Sequence, residues 1–186
     1  GGNDTVVKFF SPVTGKLVHS ENIKQMGNLS LAMSDNGFVA AGSKYGDPKV
    51  FSLFVKGGIP KMVMKLCGHR RGAACVAFSK GGKVCATASI DGTLRLFKTD
   101  VIWREGADAK KIYEVDTGLG GCQFVSICQD DAADLLALTS ASGSVIQFYR
   151  TSTGKLLFDL PAPHKGGITS LSCSADGKYM LSSGGS

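Results

Sequence analysis

The chain has 186 residues, of which 25 are Gly, 5 Pro and 6 Cys, and it carries a formal net charge of +6. Glycine at roughly twice its usual share signals many tight turns, and 43% apolar with 19% charged residues exclude a disordered polyelectrolyte. The longest apolar run, Ala73 to Phe78, is far short of the roughly 18 consecutive apolar residues of a membrane helix, and no collagen-like period exists.

Helical spacing is nearly absent. Short β-rich runs recur instead, each bounded by Gly, Asp, Asn or Ser. Thr5 to Phe10 and Lys16 to His19 form a first pair of expected strands. Leu29 to Met33, a turn at Asn36-Gly37, Phe38 to Gly42, Lys49 to Leu53 and Lys61 to Leu66 form a first set of four. The clearest set follows: Ala74 to Phe78, a turn at Lys80 to Lys83, Val84 to Ala88, a turn at Ile90-Asp91-Gly92, Thr93 to Phe97, a polar loop, and Lys111 to Val115. Gln123 to Ile127, a turn near Asp130-Asp131, Leu135 to Thr139, Val145 to Tyr149 and Lys155 to Leu160 repeat the order. A last start runs from Ile168 to Cys173, through Ala175-Asp176-Gly177, to Tyr179 to Ser182. Equivalent positions lie roughly 45 residues apart, the period of four-stranded propeller blades. The expected fold is therefore all-β, a propeller fragment: a half blade over 1–27, blades over about 28–67, 68–118 and 119–163, and a half blade over 164–186. A seven-blade ring needs about 300 residues, so the natural chain is expected to continue at both ends.

The cysteines, Cys67, Cys75, Cys85, Cys122, Cys128 and Cys173, are scattered in apolar stretches and form no C-x-x-C pair. That pattern suits buried free thiols in a reducing compartment and opposes a zinc ribbon or a redox pair. Sequons at Asn3 and Asn28 do not by themselves establish secretion.

At Gly68-His69, Ser89-x-Asp91-Gly92 and Leu94-Arg95-Leu96-Phe97-Lys98 the repeat resembles the WD40 family, with Phe97 where the Trp would stand. The resemblance implies that His69, Ser89 and Asp91 form an internal hydrogen-bonded network, a buried imidazole donating to a carboxylate, without the fourth member that a Trp indole would supply. Asp4, six residues before Phe10, matches Asp91 and Phe97, and His164 takes the place of His69. Tyr149 takes the aromatic place with Gly143 at the Asp place, and Phe51 follows Asp47-Pro48.

Thr14 to Val18, Asn22 to Asn28, Asp47 to Phe51, Leu66 to His69 and Phe97 to Val101 together resemble, more narrowly, the transducin β-like WD40 proteins. That resemblance implies a non-enzymatic scaffold for protein partners on the cytosolic face of the endoplasmic reticulum, tethered by a membrane segment outside this sequence. It also implies a role in the stress response there, with the kinase that restrains translation initiation as a partner.

Catalytic patterns are weak. Gly118-x-Gly120-Gly121 has a kinase-like spacing but lacks the downstream Lys, H-R-D and D-F-G motifs, which leaves an inter-blade turn. His19, His69 and His164 have no metal-ligand spacing. No cofactor and no small-molecule substrate are expected. The basic excess offers an alternative: Arg70-Arg71, Lys110-Lys111 and Lys44, Lys49, Lys56 and Lys61 could form a face for RNA or a ribosome-assembly role. The polar excursion Val101 to Lys110 carries Trp103 and Arg104, residue types that anchor protein interfaces, so it is a candidate partner contact; folding back onto the blade edge is the competing expectation.

Overall fold

A computed structural model describes residues 4–24, 27–55, 57–101, 104–130, 132–161 and 163–185. The described residues are all-β, with one short 3-10 turn among them at Lys80–Gly82. No helix long and apolar enough to cross a membrane occurs among the described residues.

Strands β1 (Val6–Phe10) and β2 (Leu17–Asn22) form an antiparallel pair. β3 (Asn28–Met33), β4 (Phe38–Ser43), β5 (Gly46–Ser52) and β6 (Lys61–Lys65) pair in succession, each antiparallel to the last. β7 (Cys75–Phe78), β8 (Val84–Ala88) and β9 (Thr93–Lys98) repeat that meander, closed by β11 (Lys110–Asp116). β12 (Cys122–Ile127), β13 (Leu135–Ser140), β14 (Val145–Arg150) and β15 (Leu156–Pro161) repeat it again, and β16 (Ile168–Cys173) pairs with β17 (Met180–Gly184).

One strand departs from the expected order. Within the excursion read as a polar loop, β10 (Ala107–Asp108) lies parallel to β6, Ala107 opposite Met64 and Asp108 opposite Lys65. The second sheet therefore has five strands, β10-β6-β5-β4-β3, where four were expected. Ala109 N donates to Lys65 O at 2.8 Å and the Cys67 thiol donates to Asp108 Oδ1 at 3.1 Å, so the excursion caps the outer edge of the sheet before it.

Burial follows strand position. The middle strands β4, β8 and β13 are buried along nearly their whole length, because a sheet packs on each of their faces. Their small residues, among them Ala40, Ala86 and Ala137, let neighbouring sheets approach. Phe97 lies 1% exposed among Val50, Val63, Leu66, Phe78 and Cys85, between the second and third sheets. Leu94, Leu96, Val125, Leu136 and Tyr149 fill the space between the third and fourth. The first strands β3, β7, β12 and β16 sit side by side. Serines stitch two of these junctions: Val76 N donates to Ser30 Oγ and Cys173 N to Ser126 Oγ, each at 3.1 Å.

Candidate functional site

The third sheet carries the densest polar cluster. The loop from β6 to β7 brings Gly68-His69-Arg70-Arg71-Gly72 against the β8–β9 turn, Ser89 to Gly92. His69 Nε2 lies 2.7 Å from Thr87 Oγ1 on β8, and its Nδ1 lies 2.9 Å from Thr93 Oγ1 on β9. The Thr93 hydroxyl in turn lies 2.6 Å from Asp91 Oδ1.

These contacts have one consistent direction. An ionised carboxylate only accepts, so Thr93 donates to Asp91. Thr93 then accepts from His69 Nδ1–H, and His69 Nε2 accepts the Thr87 hydroxyl. The direct imidazole-to-carboxylate hydrogen bond expected from the sequence is not formed: His69 Nδ1 and Asp91 Oδ2 are 3.6 Å apart, and Thr93 carries the connection. Asp91 also accepts Thr93 N at 2.9 Å and Arg70 N at 2.8 Å. Ser89 does not touch His69; its hydroxyl donates to Gly72 O at 2.5 Å and accepts Asp91 N at 3.0 Å.

Electrostatics match this arrangement. Burial, helped by the Arg95 guanidinium nearby, lowers the His69 pKa to about 4, so the imidazole is neutral near pH 7. Burial alone would raise Asp91, but the Thr93 hydroxyl and the Arg70 and Thr93 amides outweigh it and hold the carboxyl at about 2. Arg95 is itself buried, with Nη2 3.1 Å from Glu114 Oε1.

Gly72 fixes the loop. Its φ is +71°, and a Cβ there would lie 2.4 Å from Ser43 O. That close approach joins the β6–β7 loop to the end of β4, where Ser43 bridges Ala73. Between the two, Lys44, Tyr45, Asp47, Arg70, Arg71 and Ile90 line a cavity of about 440 Å³, with His69 at its base.

The remaining sequence candidates are dispersed. His164 Nε2 lies 2.9 Å from Ser182 Oγ, the same separation of 18 residues that joins His69 to Thr87. Asp4 is exposed, with Oδ1 3.4 Å from Val6 N, and Phe10 is 57% exposed where Phe97 is core. Gly143 does not hold the place of Asp91. Gly143 N donates to Ser140 O as Gly92 N does to Ser89 O, so the residue before it, Ser142, occupies that place, bonded to the hydroxyls of Ser140 and Ser144. That turn is one residue longer than its counterpart, since Thr139 pairs with Ile146 where Ala88 pairs with Leu94.

The basic residues are not one face. Arg70 and Arg71 sit on the loop entering β7, whereas Lys110 and Lys111 lie on β11 at the opposite edge of the sheet, and Lys111 is paired with Glu114 at 2.5 Å. Lys49 turns inward, its ammonium donating to Ile23 O, and burial beside Lys65 lowers its pKa. Lys44 and Lys61 are exposed. Arg104 is exposed and its carbonyl closes a turn with Ala107 N at 3.0 Å. Trp103 and Lys56 lie outside the described residues.

Cys67 and Cys122 are poor nucleophiles. Burial, with Asp108 and Asp47 close by, pushes Cys67 up to about 12, and burial pushes Cys122 up to about 11. Cys85, Cys122 and Cys128 are buried, while Cys67, Cys75 and Cys173 are half-buried, and all six are free.

Two comparisons with known proteins bear on this arrangement. The family model of the WD domain, G-beta repeat, matches residues 60–98 and 154–186. The first of these matches contains His69, Thr87, Asp91 and Thr93; the second contains His164 and Ser182. Human Transducin beta-like protein 2 is 31% identical over 191 residues, an alignment covering 98% of this chain and 41% of that protein. The chain thus spans about two fifths of this relative's length.

Proposed function

Because the chain carries WD40 repeats, we propose that it is a segment of a β-propeller scaffold that holds protein partners together and performs no catalysis itself. In this reading the sheets within 28–67, 68–118 and 119–163 are blades, and the pairs β1–β2 and β16–β17 belong to two further blades. The observation that carries the proposal is the destination of the polar groups: imidazole, hydroxyls and carboxylate of the His69 relay all bond one another or the backbone. A neutral imidazole with both nitrogens engaged has no nucleophile to activate, and its bonds tie a loop to a hairpin.

WD40 domains generally mediate protein–protein contacts. We propose further, on the resemblance that the sequence motifs carry to the transducin β-like WD40 proteins, that the scaffold works on the cytosolic face of the endoplasmic reticulum in its stress response, with the kinase that restrains translation initiation among its partners. The RNA alternative has no comparable support, since Arg70-Arg71 and Lys110-Lys111 lie at opposite edges of one sheet. Proximity labelling from the full-length protein, followed by crosslinking to the purified cytosolic domain of the stress kinase, tests the reading. Labelled protein partners and a crosslinked kinase are the expected result. A labelled set dominated by RNA, or turnover of a substrate abolished by His69→Gln, overturns it.

A further inference from the structure

The cavity at the β6–β7 loop has a use that the relay beneath it does not exhaust. Lys44, Arg70 and Arg71 line it against one carboxylate, Asp47, which already accepts Gly68 N at 3.0 Å. The Arg70 and Arg71 side chains are exposed and enter no ion pair among the described residues. By contrast, Arg95 is paired with Glu114 and Arg150 with Asp134. Among the described residues the Lys44 ammonium meets only the Tyr45 ring, 5.7 Å away.

The walls are fixed before anything binds. Arg70 N is anchored on Asp91, Gly72 O on Ser89, and Ser43 bridges Ala73, so the two loops that carry the cations are tied to each other and to the hairpin below. With the loop backbones held, binding has to order only the guanidinium and ammonium side chains, which limits the freedom lost. Tyr45, 71% exposed, adds an aromatic wall beside the arginines, and Tyr and Arg are the residue types that anchor protein interfaces.

Resting on the scaffold reading, we infer that this cavity docks a glutamate- or aspartate-rich segment of a protein partner, its carboxylates paired with Arg70, Arg71 and Lys44. Guanidinium groups match carboxylates in bidentate geometry. The Asp47 carboxylate on the same wall opposes a doubly charged phosphate more than a singly charged carboxylate, and it offers an acceptor to a peptide N–H. A nucleic-acid strand would need cations tracking its backbone, and the described lysines of β11 are at the far edge of the sheet.

Fluorescence anisotropy with the full-length protein tests the inference. The probes are a fluorescein-labelled glutamate-rich peptide, its glutamine counterpart, a version with one phosphoserine, and oligouridylate. The wild type binds the glutamate peptide at least about tenfold more tightly than the glutamine one, the scale of a single charge-assisted hydrogen bond. Arg70→Gln combined with Arg71→Gln removes that preference with an unchanged thermal midpoint, and rising salt weakens the wild type alone. Lys44→Gln, on the other loop, gives a smaller loss in the same direction and serves if the double variant fails to fold. Equal binding of the two peptides, or equal binding by wild type and variants, overturns the inference. So does tighter, arginine-dependent binding of the phosphoserine peptide or oligouridylate. Kinase crosslinking that survives the double variant, alongside unselective peptide binding, rejects this cavity and leaves the scaffold reading standing.

Discussion

Protonating His69 dismantles the relay, which makes stability a function of pH in a computable window. The imidazole titrates near 6.5 in an unfolded chain and at about 4 in the fold. The unfolded state therefore binds the proton more readily, and the stabilisation present above pH 6.5 is lost as pH falls toward and through 4. Linkage over that interval gives a loss of about 2 kcal/mol by pH 5 and about 3 kcal/mol by pH 4. Below pH 3.8 the Asp91 carboxyl, held at about 2, adds a loss of the same sign. Urea unfolding followed by fluorescence at pH 7.5, 5 and 4, on wild type and His69→Gln side by side, isolates the contribution of the imidazole. The variant is less stable at pH 7.5, and its stability falls less steeply between pH 7.5 and 4 than that of the wild type. Parallel slopes for the two proteins would refute the reasoning, as would an NMR titration placing His69 above pH 6.

Phe97→Ala opens a cavity among Val50, Val63 and Leu66 and costs about 3–5 kcal/mol in urea unfolding, while Phe10→Ala, at an exposed aromatic, changes stability by less than about 0.5 kcal/mol. Gly72→Ala combines a left-handed φ with a Cβ 2.4 Å from Ser43 O, and a loss of about 1–3 kcal/mol follows; an unchanged midpoint would remove the close-approach argument. Cys67, its thiol pushed up to about 12, is alkylated far more slowly at pH 8 in the fold than in urea. Asp108→Asn accelerates that alkylation, as read by mass spectrometry of the labelled peptides, because it removes the carboxylate that accepts the thiol.

Strands whose signal is internal were legible in the sequence. Val84–Ala88 coincides with its expected run because an unbroken apolar stretch between turn residues suits a strand covered on both faces. β5 begins at Gly46, three residues before its expected start, since Pro48 close to a strand's beginning removes no needed donor; its carbonyl accepts Leu66 N. What escaped the sequence belongs to pairs of elements. β10 is two residues long and has no periodicity of its own, so only the exposed edge of β6 makes Ala107–Asp108 a strand. Lys49 looks like a surface cation until the carbonyl of Ile23 is placed beside it. Thr93 carried a readable cue, a hydroxyl directly after the Asp91-Gly92 turn, and Thr87 is the one polar residue in Val84–Ala88. Their part in the relay became visible only with hydrogen-bond direction, because a carboxylate that cannot donate dictates the orientation of Thr93, then of His69, then of Thr87. The pair at His164 and Ser182, in the fifth sheet, keeps the spacing of 18 residues; the fourth sheet lacks the histidine, and its turn after Ser140 carries serines in place of Asp91 and Thr93. The histidine-to-hydroxyl contact thus recurs in the third and fifth sheets, where it joins the loop before a first strand to the second strand of the same sheet; the second and fourth sheets have no histidine in that loop and are held without it.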